Sequence, residues 1–447
     1  RAQIAVTDAA PEYVYFMCAG TDGLFGGVYR STDSGDSFEL RADSPQMLGY
    51  SPTGDDNSSQ SSYDLGLAAS HLNPDEVHLL GIITWRSMDG GINWVATTEW
   101  NFQNDPIGYT HCDMHWAHFE GGTLYVGSDG LVCKSEDSGN TWTDLTTGIG
   151  IRQFYRMGGS KNHPYKIVGG SQDNGTSVYT TDYWHEWLGA DGMECAVDYT
   201  NENIVYGTMQ FGYFFKSNTG GMNTINISQP GDGNWVTPFV LHPTNPSIIY
   251  VGNNYGVRRT TNGMQSWTTI SNFSNTVRQM AISESNPDYI FASWGNTIKR
   301  TKDGGDNWMD VSNGLPANAI SYIAVHPSDP ELIALSISGY EDGEKLYISE
   351  ISGDSCENHS LNLPNIPANC VTFYDDPNAS LFVGMDVGVY YIDNALEEYE
   401  TFWDGLPNVI VSELEINYQI NKIRAATYGR GLWESDVRMT EPVAEFE

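Results

Sequence analysis

The chain has 447 residues, of which 40% are hydrophobic and 12% aromatic, so it is long enough to bury a large core. Its 57 acidic and 21 basic side chains give a formal net charge of −36, and because phosphate groups are bound by clustered lysine and arginine, we exclude nucleic acid and an anionic membrane surface as partners. No apolar run in the sequence approaches the roughly 18 residues that span a bilayer, which argues against direct membrane insertion.

A short phrase recurs along the chain and predicts a turn between two strands. It has the form S/T-x-D-x-G-x-x-W/F and occurs as STDSGDSF (31–38), SMDGGINW (87–94), SEDSGNTW (135–142) and TKDGGDNW (301–308), with a degenerate copy, TTNGMQSW (260–267). The hydroxyl and the aspartate can hydrogen-bond to loop amides, glycine permits a positive φ, and the aromatic residue anchors the next strand. We therefore expect structural rather than catalytic roles for Asp33, Asp89, Asp137 and Asp303.

A second repeated pattern, made of short strands, precedes each of these turns. An apolar strand, a polar turn, another apolar strand, a glycine and a third strand follow one another in FVLHPTNPSIIYVGNNYGVRRT (239–260) and in MAISESNPDYIFASWGNTIKRT (280–301). About ten such units occur, mostly about 40 to 50 residues apart. This spacing predicts an all-β propeller of four-stranded blades, either a ten-bladed ring or seven blades plus part of a second propeller. We expect the propeller over residues 1–438 and the start of a linker to a further domain over 439–447.

The stretch THCDMHWAHF, residues 110–119, has the highest density of metal-binding and titratable side chains. It precedes the GGTLYVGSDG hairpin, which places it on the first strand of the third blade. Strand alternation then predicts that His111, Asp113 and His115 share one face, toward the central channel. We therefore treat these three residues as candidates for ligand binding.

Two loops of the following blades carry further polar side chains. GGSQDNGTS (169–177) forms the turn between the second and third strands of the fourth blade, and LGADGMEC (188–195) leads into the fifth blade. The candidate ligand-binding residues in and after these loops are Gln172, Asp173, Asn174, Asp191 and Gln210. The candidate aromatic platforms, which could also be core residues between blades, are Tyr213, Tyr255, Trp294 and Tyr428.

The repeated turn resembles that of the Asp-box, or BNR, propellers, a superfamily that includes sialidases, two-propeller xyloglucan hydrolases and ten-bladed Vps10/sortilin receptors. The tail KIRAATYGRGLWESDV (422–437) looks like the closing blade of large Asp-box proteins that gliding bacteria secrete. The HxDxH strand, the SQDNG turn and the DG loop resemble the same series in secreted Asp-box proteins described as glycosyl hydrolases. The resemblance implies an extracellular or bacterial cell-surface protein with neighbouring domains in a longer chain, including a sorting domain for type IX secretion.

A divalent cation is one hypothesis for the polar stretch. Asp113 and His115 are two residues apart on the predicted strand, about 7 Å, and could chelate an ion together with a third ligand such as Asp173. Oxygen donors of this kind favour calcium over zinc. The alternative is a buried polar network that ties the inner strands together.

Three functions fit the pattern. Glycoside hydrolysis needs two carboxylates roughly 5 to 10 Å apart, one of them with a raised pKa, and Asp113, Asp173 and Asp191 are the candidates near the channel. A binding module needs only a shaped polar surface and aromatic platforms. The sequence favours a non-catalytic module that binds an extracellular polysaccharide or a surface protein, with glycoside hydrolysis as the alternative and a Vps10-like peptide receptor third.

Overall fold

The computed structural model describes residues 1–100 and 108–437, and within them the chain is almost entirely β. Thirty-eight described strands form ten antiparallel sheets, which confirms the predicted all-β architecture of about ten propeller units. The chain divides into two compact units, Arg1–Ile149 and Gly150–Glu447. The predicted linker, 439–447, lies outside the described residues.

The first unit contains three sheets, each with four strands in which sequential strands are neighbours. Their strands are β1 (Ala2–Val6), β2 (Val14–Ala19), β3 (Phe25–Ser31), β4 (Glu39–Ala42); β5 (Gly66–Ala69), β6 (Val77–Leu80), β7 (Thr84–Ser87), β8 (Val95–Ala96); and β9 (Met114–Glu120), β10 (Thr123–Ser128), β11 (Val132–Ser135), β12 (Thr143–Asp144). The inner strand β5 contacts both β1 and β9, so the three blades stand side by side.

The second unit contains seven sheets of the same kind, two of which have three described strands. The strands of its first four blades are β13 (Phe154–Gly159), β14 (Lys166–Ser171), β15 (Thr176–Thr180), β16 (Tyr183–Leu188); β17 (Cys195–Val197), β18 (Val205–Met209), β19 (Tyr213–Ser217); β20 (Phe239–Leu241), β21 (Ile249–Asn253), β22 (Gly256–Thr260), β23 (Thr268–Thr269); and β24 (Gln279–Ile282), β25 (Ile290–Trp294), β26 (Thr297–Thr301), β27 (Met309–Asp310). A single 3₁₀ turn, Gln210–Gly212, precedes β19.

The strands of the last three blades are β28 (Ile320–Val325), β29 (Ile333–Ile337), β30 (Leu346–Ser349), β31 (Glu357–Asn358); β32 (Ala368–Phe373), β33 (Leu381–Met385), β34 (Val389–Ile392), β35 (Glu400–Thr401); and β36 (Val411–Asn417), β37 (Lys422–Thr427), β38 (Leu432–Asp436). The first strands of neighbouring blades touch along the series β24, β28, β32 and β36, and β36 then contacts β13 of the first blade. The seven blades therefore close into a ring, the second of the two arrangements that the repeat count allowed. Their first strands surround a cavity of about 440 Å³.

The repeated turn connects the third and fourth strands of a blade through its own side chains. The Ser31 hydroxyl donates to Asp33 Oδ1 (2.6 Å) and accepts from the Gly35 amide (2.8 Å), while the Ser37 amide donates to Asp33 Oδ1 (2.9 Å). Hydrogen bonds from Ser31 and Ser37 lower the pKa of Asp33 to about 2. The same bonds are made by Asp89, Asp137 and Asp303, so these carboxylates hold turns, as expected.

Apolar side chains that alternate along the strands fill the spaces between blades. In the first unit, Tyr15 and Met17 of β2 belong to one buried cluster with Trp85 of β7 and Trp94 of the turn that follows it. Trp94 is only 9% exposed, whereas Phe38, the corresponding aromatic residue of the first sheet, is 47% exposed. The turn aromatic is thus buried where a blade packs beside it.

No helix among the described residues is long and apolar enough to cross a bilayer.

Candidate functional site

The histidine-rich stretch does not form a continuous strand. Strand β9 begins only at Met114, and Asp113 has a left-handed backbone with φ 61°. The Asp113 and Met114 amides donate to the carbonyl groups of Ile82 (3.4 Å) and Gly81 (2.9 Å) in the second blade. The prediction that strand alternation places His111, Asp113 and His115 on one face is therefore wrong. His111 and Asp113 are buried in the loop before β9, and His115 is exposed on the strand.

The first unit instead brings together three carboxyl groups, Asp64, Asp113 and Asp129, which we call the acid cluster. One oxygen of Asp113 and one of Asp129 lie within 4.8 Å of each other. Asp113 Oδ1 accepts a hydrogen bond from Gln60 Nε2 (2.9 Å). Asp129 accepts from the Tyr63 hydroxyl (2.7 Å), and its other oxygen lies 2.5 Å from His115 Nε2. Asp129 is thus held by two polar partners, one on each oxygen.

Burial and mutual repulsion shift the proton affinity of the acid cluster. Asp64 is 1% exposed, and its Oδ2 has no hydrogen-bond partner among the described residues. Burial, followed by the charge of Asp113, raises the pKa of Asp64 from 3.8 to about 7. Burial, followed by the charge of Asp129, also raises the pKa of Asp113. The cluster can therefore hold at least one proton near neutral pH, because closely spaced buried carboxylates resist ionising together.

Aromatic side chains adjoin the acid cluster. The Tyr63 ring lies 4.8 Å from the His115 ring, edge to face, and remains 46% exposed. Tyr50, whose pKa is raised by burial and by the charge of Asp113, packs edge to face against Trp100 at 5.5 Å. Exposed rings beside carboxyl groups are suited to stacking on sugar rings.

In the seven-bladed unit, the two predicted polar loops meet at Asp191. The Asp173 amide donates to Asp191 Oδ1 and the Gln210 side-chain amide donates to Asp191 Oδ2, each at 2.7 Å. Asp191 is 8% exposed. We call Gln172, Asp173, Asp191 and Gln210 the Asp191 network. Its central carboxylate has a neutral donor on each oxygen, which is the arrangement of a structural anchor rather than of a proton donor.

The backbone of the same loops is strained where it surrounds this carboxylate. Asp173, Ala190 and Phe211 have left-handed backbones, with φ of 53°, 58° and 60°. The Phe211 side chain is 56% exposed and packs edge to face on Trp235 at 5.3 Å. Left-handed non-glycine residues are costly and recur at binding sites, so three of them in adjacent loops mark this surface as a candidate site.

A second aromatic pair links the first and last blades of the ring beside the Asp191 network. The rings of Tyr155 and Tyr428 lie 5.5 Å apart. The Tyr155 hydroxyl donates to Gln172 Oε1 (3.1 Å), and Tyr428 forms a β-bridge with Gln153. The surface therefore combines fixed hydrogen-bonding groups with two pairs of rings.

The remaining predicted residues have simpler surroundings. Asn174 donates from its side-chain amide to the Gln172 carbonyl (3.2 Å), within the turn. Tyr213 is 56% exposed on β19 and packs against Phe215. Trp294 packs against Phe273 at 5.0 Å, and Tyr255 is exposed in the turn between β21 and β22.

The predicted metal ligands do not fall in one unit. Asp113 and His115 belong to the first unit and Asp173 to the second, and His115 Nε2 already lies against Asp129. Within the first unit, the oxygen atoms of Asp113 and Asp129 are the donors that a hard cation such as calcium would use. The calcium hypothesis stays a prediction.

Asp64, Asp129 and Gln60 were missed by sequence reasoning. Gln60 and Asp64 lie in the long loop between β4 and β5, and they reach Asp113 only because that loop folds back over the third blade of the same unit. Asp129 lies in the turn after β10, in a GSDG phrase that reads as an ordinary hairpin. No local pattern marks any of the three.

No protein-family model and no curated protein sequence matches the chain. Among solved structures, the chain is similar to a GH74 enzyme of Niastella koreensis, with 14% identity, a TM-score of 0.38, and coverage of 97% of this chain and 83% of that one. It is also similar to the GH74 xyloglucanase of Xanthomonas campestris, with 15% identity, a TM-score of 0.25, and coverage of 98% and 91%. The propeller architecture itself rests on the ten sheets and on the closure of the seven-bladed ring.

Proposed function

We propose that the chain is an extracellular protein that acts on polysaccharide, and that the acid cluster of the first unit cleaves glycosidic bonds. The observation that carries this proposal is the unequal environment of two neighbouring carboxyl groups. Asp129 has a polar partner on each oxygen, whereas burial and the charge of Asp129 raise the pKa of Asp113. Glycosidases use such a pair, one carboxyl group protonated and the other ionised.

Each member of the pair has a defined role in the reaction. Asp113 donates its proton to the glycosidic oxygen as the bond to the anomeric carbon breaks. The separation of at most 4.8 Å between the nearest oxygens is closer to the roughly 5 to 5.5 Å of retaining enzymes than to the longer inverting range. Asp129 therefore attacks the anomeric carbon, and Asp113, now ionised, accepts a proton from the water that releases the sugar. The expected product keeps the anomeric configuration of the substrate.

The surroundings of the acid cluster limit the substrate. Tyr50, Tyr63 and Trp100 offer exposed rings for stacking, while the net charge of −36 repels a polyanion. A neutral polysaccharide fits both properties.

The first experiment incubates the purified chain with neutral polysaccharides, including xyloglucan, and measures new reducing ends. We expect cleavage that falls about 100-fold or more in Asp113→Asn, because general acid catalysis contributes at least that factor. Asp36→Asn, which removes an exposed carboxylate from the same unit, serves as the control and should cleave normally. Equal rates in both variants, or no cleavage of any polymer, would remove the hydrolase proposal.

A second candidate function, polysaccharide binding without cleavage, is favoured by the surface around the Asp191 network. Phe211, Trp235 and the pair Tyr155 and Tyr428 present rings beside hydrogen-bonding groups that are already oriented. Retardation of the chain in gels that contain the polymer, without new reducing ends, would select this function. If neither retardation nor cleavage occurs, the candidates that remain are a surface protein or a peptide.

A further inference from the structure

The seven-bladed ring closes through side chains. Strand β36 of the last blade faces β13 of the first blade, and we call this contact the closure seam. Glu413 Oε2 accepts from the Met157 amide (2.6 Å) and Glu415 Oε2 accepts from the Gly159 amide (2.7 Å). One step further, the Asn417 side-chain amide donates to the Ser160 carbonyl (3.1 Å). Alternate residues of β36 therefore bond to the backbone of β13 and to that of Ser160, which directly follows it.

The close approach at the closure seam depends on a missing side chain. A Cβ atom on Gly159 would lie 2.3 Å from Glu415 Oε1. The Ser412 hydroxyl adds a bond to the Phe154 carbonyl (2.7 Å). The two strands therefore approach each other closely at the closure seam, and this contact shields its carboxyl groups from water.

The charges at the closure seam do not balance. Arg156 Nε lies 3.5 Å from Glu194 Oε2, and its Nη1 donates to the Ser412 carbonyl (3.2 Å). The Tyr322 hydroxyl donates to Glu413 Oε1 (3.0 Å). The titratable groups that face Glu194 and Glu413 come from each strand packed around them, and they are Arg156, Cys195, Tyr322, Cys370 and Glu415. One guanidinium group therefore faces two glutamates that are also close enough to repel each other.

We propose that the closure seam is a proton-dependent latch, in which a proton held on Glu194 or Glu413 keeps the first and last blades of the ring together. Burial raises the pKa of both carboxyl groups, and the charge of Glu413 raises that of Glu194 further. Because the closed seam binds protons more tightly than an opened, hydrated seam, raising the pH above the ordinary glutamate pKa of 4.5 progressively weakens the closed form.

The latch also bears on the surface around the Asp191 network. Tyr155 belongs to β13 and packs on Tyr428, which follows β37 of the last blade. The Gly429 amide donates to the Arg152 carbonyl (3.3 Å). Opening the closure seam would separate these residues, so alkaline pH should loosen this surface before it unfolds the ring.

The test is hydrogen–deuterium exchange of the full chain, followed by mass spectrometry of peptides from β13 and β36. After correction for intrinsic exchange, we expect protection of these peptides to fall at least about tenfold between about pH 6 and pH 8.5, since one proton released on opening changes the equilibrium tenfold per pH unit. Glu194→Gln, which is neutral at every pH, should abolish this fall. Glu398→Gln, which removes an exposed carboxylate elsewhere in the ring, should retain it.

Protection that does not depend on pH in the unmodified chain, or a fall of equal size in Glu194→Gln, would overturn the latch. If Glu194→Gln does not fold, Glu413→Gln provides the same comparison, because it also removes one of the two competing charges. Exchange does not require catalysis, so the latch and the hydrolase proposal can fail separately.

Discussion

The acid cluster of the first unit and the Asp191 network of the seven-bladed unit share one structural feature. Each has a mostly buried aspartate, Asp113 or Asp191, just before an inner strand, with left-handed backbone in or beside its loop. The partners differ. Asp113 faces other carboxyl groups, whereas Asp191 accepts from a backbone amide and from Gln210.

This difference separates two kinds of chemistry. Acidic neighbours raise the proton affinity of Asp113, so it can deliver a proton. Neutral donors satisfy both oxygens of Asp191, so this carboxylate is placed to orient the two loops. The charge of the neighbouring groups, and not the depth of burial, therefore distinguishes the roles of these two buried aspartates.

The strongest test of this comparison is the pair Asp113→Asn and Asp191→Asn. We expect the turnover rate on polysaccharide to fall about 100-fold or more in Asp113→Asn but less than about threefold in Asp191→Asn. Reducing-end assays measure both. The comparison breaks if Asp191→Asn loses as much turnover as Asp113→Asn while its circular dichroism spectrum is unchanged.

The aromatic side chains beside the Asp191 network should contribute to the affinity for polysaccharide and not to its cleavage. We expect Trp235→Ala to weaken binding of a polysaccharide about tenfold, because a stacked ring contributes about 1 kcal/mol beyond its buried area. Cleavage of a short aryl glycoside should be unaffected. The matched control is Tyr255→Ala. It removes an aromatic side chain that is 74% exposed in a different turn of the seven-bladed unit. Equal loss of affinity in the two variants would show that no particular platform exists.

The acid cluster of the first unit should make its own contribution to the pH dependence of stability, separate from that of the closure seam. Because the pKa of Asp64 is raised from 3.8 to about 7, the folded unit binds more protons than the unfolded chain, and its stability falls as pH rises from about 4 to 7. In Asp64→Asn we expect this decline in unfolding temperature to shrink by at least about 3 °C. Calorimetry of the full chain measures it, and an unchanged decline would mean that Asp64 ionises normally.

Calcium should have the smallest effect on the unfolding temperature. Its addition tests whether Asp113 acts as an acid or as a metal ligand. Burial and the charge of Asp129 raise the pKa of Asp113, so protons compete with a cation for this carboxyl group. We therefore expect millimolar calcium to change the unfolding temperature by less than about 1 °C. A larger rise that disappears in Asp129→Asn but persists in Asp191→Asn would place a cation at the acid cluster. That result would replace the acid role of Asp113 by a ligand role.

Much of the fold could be predicted because its signals are local. The turn phrase at Ser31 and Asp33 closes on itself within seven residues. A short apolar run such as β21, which is buried along its whole length, marks a strand covered on both faces wherever the blade is placed. The turn at Asp173 and the loop at Asp191 were also located correctly in the chain. The shared face of His111, Asp113 and His115 was predicted wrongly, because one left-handed residue, Asp113, interrupts the alternation that the prediction assumed.

What the sequence by itself determined is therefore the repeating blade, since hydrogen bonds and apolar contacts within about 45 residues specify it. What only the tertiary structure decided is which carboxyl groups meet. Gln60 reaches Asp113 across 53 residues, and the Met157 amide reaches Glu413 across 256 residues. These long-range contacts depend on how the loops fold back and on where the ring closes. They set the proton affinities of the carboxyl groups on which both proposals rest.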